Sequence, residues 1–102
     1  RHYTLDLSHT AAAEMDVFAL ADRMGEGLTH VHLADGTGRP VDEHLLPGKG
    51  NQPCAEFLEK LAASEFSGQV ILEINTRSMR RPADRVRALG EALLFTRLHL
   101  GQ

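Results

Sequence analysis

Short, almost wholly apolar runs alternate along this chain with longer stretches in which apolar residues recur at helical spacing. The runs are Tyr3 to Leu7, Thr29 to Leu33 and Gln69 to Ile74. Each is rich in Leu, Val or Ile, as strands covered on both faces tend to be. Helical periodicity predicts a first helix over roughly Ala12 to Met24, stopped by Gly25 and Gly27, which supply C-cap chemistry. A second helix is predicted from NQPCAEFLEKLAAS: Asn51 or Gln52 lies outside it, Pro53 suits the first turn, and Phe57, Leu58 and Leu61 form its apolar face. A third begins at Pro82 and shows Val86, Leu89, Leu93 and Leu94 at helical spacing. The order β-α-β-α-β-α predicts an α/β fold with parallel strands joined by right-handed crossovers. No low-complexity segment or composition break divides the chain, so residues 1–102 read as one domain.

Within those runs, polar residues stand where the pattern should be most apolar. TLDLSH carries Asp6, HVHLAD carries His30 and His32, and VILEIN carries Glu73. Alternate strand residues share a face, which makes columns of Thr4 with Asp6, His30 with His32, and Ile71 with Glu73. In each run the polar group falls toward the C-terminal end, just before a loop. An unpaired carboxylate inside a packed sheet is costly unless it meets an opposite charge or a metal. A lone strand-end His or Asp is more often a hydrogen-bonded structural residue, and His30, one layer deeper, is read that way. Three coincident strand ends instead predict convergence on one site, at the carboxyl edge where α/β sheets and (β/α) barrels place theirs. One Asp, one His and one Glu offer the mixed nitrogen and oxygen ligands that suit Mn²⁺, Zn²⁺, Co²⁺ or Mg²⁺.

Composition narrows the alternatives. The 102 residues carry a net charge of −3, which gives no reason to expect a nucleic-acid or anionic-membrane partner. The cluster of Arg77, Arg80, Arg81, Arg85 and Arg87 reads as a solvated helix start and face. No run reaches the ~20 apolar residues of a membrane span, and no signal-like start is present. The single cysteine, Cys54, excludes an internal disulfide and fits a reducing, cytoplasmic setting; it is read as structural. PGKGN looks faintly like a phosphate loop but lacks the Ser or Thr after its lysine and a strand before it. Ser8 and His9 lack a nucleophile-elbow context.

Taken together, LDLSH, then HVHLADG…VDEHLLPGKG, then GQVILEIN resemble the C-terminal part of the xylose isomerase-like TIM barrels. That family includes sugar phosphate isomerases, ketose 3-epimerases, inosose and dehydroshikimate dehydratases and endonuclease IV. The resemblance covers nearly the whole chain. It implies the last three units of a (β/α)8 barrel, with Asp6 as a metal ligand on strand six, His32 on strand seven and Glu73 closing strand eight. It further implies Glu73 as an acid/base group, His9 as a substrate or second-metal contact, and Asp42 and His44 as loop contacts or further metal ligands. The implied activity is a divalent-metal-dependent isomerase or epimerase acting on a sugar, polyol or sugar phosphate by proton abstraction next to a carbonyl. A dehydratase, an endonuclease IV-type phosphodiesterase or an inactive fragment are the alternatives; the acidic charge balance speaks against the phosphodiesterase. A TIM barrel takes about 250 residues, and the chain opens on RHYTLDL without a methionine, already inside a strand. The expectation is therefore a piece of a longer barrel, whose strand-five glutamate lies upstream, or a chain that assembles with copies of itself.

Overall fold

The structure is a computed structural model that describes residues 2–37, 43–64, 66–76 and 79–101. Three strands, β1 (Tyr3–Asp6), β2 (Leu28–Leu33) and β3 (Gln69–Leu72), form one parallel sheet in the order β1-β2-β3. The helices are α1 (Leu7–Ala12), α2 (Val17–Met24), α3 (Cys54–Ala63) and α4 (Pro82–His99). This is the α/β, parallel segment that the pattern predicts. No helix among the described residues is long and apolar enough to cross a membrane.

The register explains how the sheet separates its two faces. Leu5 pairs with Val31 and Val31 with Val70, while Thr4 pairs with His30 and Asp6 with His32. Leu5, Val31 and Leu33 belong to the core, together with Leu7, Val17, Leu28, Cys54, Phe57, Leu58 and Leu61. Phe57 and Phe18 meet edge to face, centroids 5.9 Å apart, which ties α3 to α2. The opposite face carries Thr4, Asp6, His30, His32 and Ile71, and remains partly open.

Four expectations change on inspection. The first predicted helix is two: α1 starts directly at Leu7, and a turn over Ala13 to Asp16 precedes α2. The cause is Asp6, whose side chain accepts the His9 N–H and so caps α1 one residue after the strand. A second aspartate, Asp16, caps α2 by accepting from Phe18 and Ala19. Second, β3 ends at Leu72 rather than Ile74, because β2 offers no residue beyond Leu33; the Glu73 N–H makes the last bond, to the Leu33 carbonyl. Third, the predicted apolar face of α4 does not meet the core, although Phe95 of the same helix packs against it. Val86, Leu89, Leu93 and Leu94 are exposed, and the helix packs through Ala88, Ala92 and Thr96. Fourth, Pro53 stands just before α3 rather than within its first turn.

The arginines near α4 match the solvated reading where they are described. Arg80, Arg81, Arg85 and Arg87 are exposed, Arg85 donates to the Met79 carbonyl, and Arg87 lies 3.9 Å from Asp84. Arg77 lies outside the described residues.

Candidate metal centre and its supporting loop

Asp6, His32 and Glu73 meet at the carboxyl edge of the sheet. One ligand atom from each lies within 4.8 Å of the other two. Asp6 is the last residue of β1, His32 is opposite it on β2, and Glu73 follows the end of β3. His32 Nδ1 is 2.9 Å from Glu73 Oε1 and 3.9 Å from Asp6 Oδ2. Asp6 divides its carboxylate between two tasks. Oδ1 accepts the His9 backbone N–H at 3.0 Å, while Oδ2 faces the His9 ring, 3.1 Å from Nδ1. The helix cap therefore fixes the carboxylate, leaving its second oxygen toward the site. All three side chains are partly buried, so the site is reachable from solvent. His9 is the most open member, with 70% of its side chain exposed.

His44 reaches the same corner from the β2–α3 loop. Its Nδ1 is 3.0 Å from the Glu73 carbonyl oxygen, its backbone N–H donates to Ser8 Oγ, and its carbonyl accepts from the Asn75 N–H. A carbonyl can only accept, so the neutral His44 ring carries its proton on Nδ1 and leaves Nε2 as an acceptor. The residue holds φ at 51°, an uncommon conformation for a side-chain-bearing residue. Asp42 lies outside the described residues. His30 pairs with Thr29 Oγ1 through Nδ1 and takes no part in the cluster.

Sequence reasoning gave no role to the residue that organises this loop. Asp35 is fully buried. Its Oδ1 accepts the Gly36 and Gln52 N–H groups at 2.8 and 2.9 Å, and Oδ2 accepts the Gly48 N–H at 2.9 Å. Its backbone pairs with Leu45 in both directions. Of the PGKGN segment only the Gly48 amide serves a carboxylate, and that carboxylate is the protein's own Asp35. Close approach sets the glycine at position 50: a Cβ there would collide with the Gly36 carbonyl oxygen and sit 2.6 Å from Asp35 Oδ1. The signal in the sequence was the pairing of an aspartate at a strand end with a glycine-rich return, ADG followed by PGKGN.

Cys54 is buried against the same loop and donates weakly to the Ala34 carbonyl. Burial pushes its thiol up to about 12, and the Asp35 charge adds to the effect. Such a thiol is not a nucleophile near neutral pH, which agrees with a structural role.

With this geometry in view, comparison with known proteins places the chain. The profile of the xylose isomerase-like TIM barrel family matches residues 2–99. The chain belongs to that family. It is 56% identical over 99 residues to an uncharacterized protein of Mycobacterium tuberculosis, covering 97% of this chain and 35% of that one. It is 30% identical over 66 residues to the fructoselysine 3-epimerase of Escherichia coli O157:H7, covering 65% of this chain and 24% of the enzyme. The crystal structure of a D-tagatose 3-epimerase-like protein superposes with a TM-score of 0.65 at 30% identity, over 93% of this chain and 35% of that one. The chain spans about a third of the length of the mycobacterial relative.

Proposed function

We propose that this chain is the C-terminal part of a divalent-metal-dependent isomerase or epimerase acting on a sugar or polyol, free or phosphorylated, by proton abstraction next to a carbonyl. The observation that carries the reading is the meeting of Asp6, His32 and Glu73 donor atoms from three successive strand ends. Two carboxylates and one imidazole are a donor set that fits Mn²⁺, Zn²⁺, Co²⁺ or Mg²⁺. These three residues would hold the ion, and a glutamate from the part of the barrel outside this chain would join them. When bound, the ion supplies Lewis acidity, polarising a substrate carbonyl and lowering the acidity barrier of the adjacent carbon.

The remaining work belongs to the side chains. Glu73 takes the proton from the carbon next to the carbonyl, leaving an enediolate, and returns it in the reverse step. Return of the proton to the opposite face, which defines epimerisation, needs a second acid/base group on the other side of the substrate; we assign it to the rest of the barrel. His9, open to solvent and held against Asp6, orients a substrate oxygen. His44 stands over Glu73 from the loop side. The names of the two epimerase relatives favour a ketose over a phosphodiester substrate. A single buried free thiol favours a cytoplasmic location.

The test is a ketose 3-epimerisation assay on the longer protein that contains this chain, with Mn²⁺ supplied. Glu73→Gln should lower kcat by a factor on the order of 10² to 10⁴ with the fold intact, as loss of a general acid/base does. Activity that survives Glu73→Gln would remove Glu73 from the chemistry.

A further inference from the structure

The described residues between β2 and α3 gather around one buried carboxylate, and among them His44 reaches the corner where Glu73 sits. Asp35 gathers three backbone N–H groups from positions 36, 48 and 52, so it fastens both ends of the described part of the return segment. A single antiparallel bridge between Asp35 and Leu45, made by two backbone hydrogen bonds, sets the height of the loop next to His44. His44 then touches β1's side through Ser8 and β3's side through the Glu73 carbonyl and the Asn75 N–H. The Glu73 backbone has no strand partner beyond Leu33. His44 is thus the contact that holds the far side of Glu73, and it is only as well placed as its loop.

We infer that Asp35 is a positioning residue, which fixes the β2–α3 loop so that His44 clamps the Glu73 backbone and presents the Glu73 carboxylate to Asp6 and His32. The inference rests on the proposed site for the use of that geometry, but the clamp itself can be read without any metal. Asp35 touches none of the three site side chains, so its effect passes through the loop. The chemistry of an asparagine shows why the charge matters. An amide could keep its oxygen on the Gly36 and Gln52 N–H groups, but its NH₂ would then face the Gly48 N–H, donor against donor. The loop would lose the Gly48 end while the side-chain volume stayed the same.

The test uses the 102-residue chain, isotopically labelled at its histidines, as wild type, Asp35→Asn, Gly48→Ala and Leu58→Ala. The Gly48→Ala change keeps the carboxylate but strains a backbone at φ +89° and presses a Cβ to 3.3 Å from Phe95, displacing one N–H donor. Leu58→Ala opens the core at a residue that makes none of the Asp35 hydrogen bonds, and shows what lost stability alone does. Two readouts are taken at pH 8: the ¹⁵N shifts of the His44 ring, and Mn²⁺ affinity from paramagnetic broadening of the His32 ring signals. Wild type should show His44 protonated on Nδ1. Asp35→Asn and Gly48→Ala should average the two His44 tautomers and weaken Mn²⁺ binding about tenfold, within the range seen when groups behind a metal ligand are lost. Leu58→Ala should leave both readouts unchanged. If Asp35→Asn and Gly48→Ala lose stability yet keep the His44 tautomer and the Mn²⁺ affinity, Asp35 is only structural and the inference fails. If wild type shows no Mn²⁺ broadening at all, the metal reading fails, and the His44 tautomer alone decides the clamp. Should Asp35→Asn not fold, Gly48→Ala decides by the same two readouts.

Discussion

Helices α3 and α4 read alike in the sequence and behave oppositely in the structure. Both open at a proline and carry leucines at helical spacing. The α3 residues Phe57, Leu58 and Leu61 are buried at 0%, 0% and 5% exposure. On α4, Val86, Leu94 and Leu98 remain 69%, 68% and 72% exposed, while the small residues Ala88, Ala92 and Thr96 are buried on a helix that packs against α3. The difference follows position in the sheet. β2 has a strand on either side, so the helix that follows it is flanked as in a complete barrel. β3 has one strand neighbour, and the helix after it lacks whatever would cover its outer flank. Apolar periodicity reports the environment a helix is built for, and the whole of that environment need not lie within one stretch of chain.

The largest effect expected from this contrast concerns stability. Phe57→Ala should cost about 3–5 kcal/mol, as truncation of a fully buried aromatic does, whereas Leu98→Ala should stay within about 0.5 kcal/mol. Urea unfolding at fixed protein concentration checks both, the concentration being held because association would shift the apparent stability. Equal losses at the two positions would mean that α4 is packed more fully than its exposure indicates.

Chemical reactivity should separate the two halves next. Cys54 lies beneath the complete half, and its thiol is held up to about 12 against an ordinary 9.0. At pH 8 the folded chain should react with a thiol reagent on the order of 10² times more slowly than the chain in denaturant, since the thiolate is the reactive form. The pH dependence has a definite sign. Below pH 9 both folded and unfolded chains keep the proton, and this residue's contribution is intact. As pH rises from 9.0 toward about 12 the unfolded chain loses the proton first, so stability declines across that window. Cys54→Ala should flatten that part of the decline, measured by thermal unfolding from pH 8 to 11.

Association should follow the incomplete half. The outer edges of β1 and β3 are unpaired within this three-stranded sheet, and unpaired edges invite another chain. Together with the α4 stripe they should make the 102-residue chain self-associate at micromolar concentration. Val86→Lys with Leu94→Lys should weaken that association about tenfold, roughly 1.4 kcal/mol, read by sedimentation. A wild-type chain that sediments as a compact monomer with cooperative unfolding would show that this part of a barrel stands alone.

The smallest effect lies on the surface of the complete half. Lys60 is 2.8 Å from Asp22, and the two side chains are 40% and 66% exposed. Such a pair contributes about 0–1 kcal/mol. Lys60→Met should therefore change urea stability by less than about 1 kcal/mol, which shows that burial, rather than the count of contacts in the α2–α3 region, sets its stability.

Much of the candidate site was legible because strands have a two-residue period. Alternation put Asp6, His32 and Glu73 on one face, and the position of each at the end of its run put them at one edge. The α1 break was hidden in the double use of Asp6, which ends a strand and caps a helix at once. The role of Asp35 was hidden for another reason: its partners lie 1, 13 and 17 residues away, and a buried carboxylate surrounded by amides looks in sequence like any polar loop residue. The orientation of α4 could not be read from its own leucines, because the pattern names an apolar face without naming its partner.

The most direct measurement of the central claim is a Mn²⁺ titration of the chain followed by paramagnetic broadening, repeated with Asp6→Ala, His32→Ala and Glu73→Ala. Three protein ligands leave a divalent site short of the four or more that closed sites use, so wild-type binding should be weak and confined to signals around the three strand ends. Each single substitution should abolish it. Tight binding that Asp6→Ala destroys but His32→Ala preserves, or broadening centred elsewhere in the chain, would contradict the account.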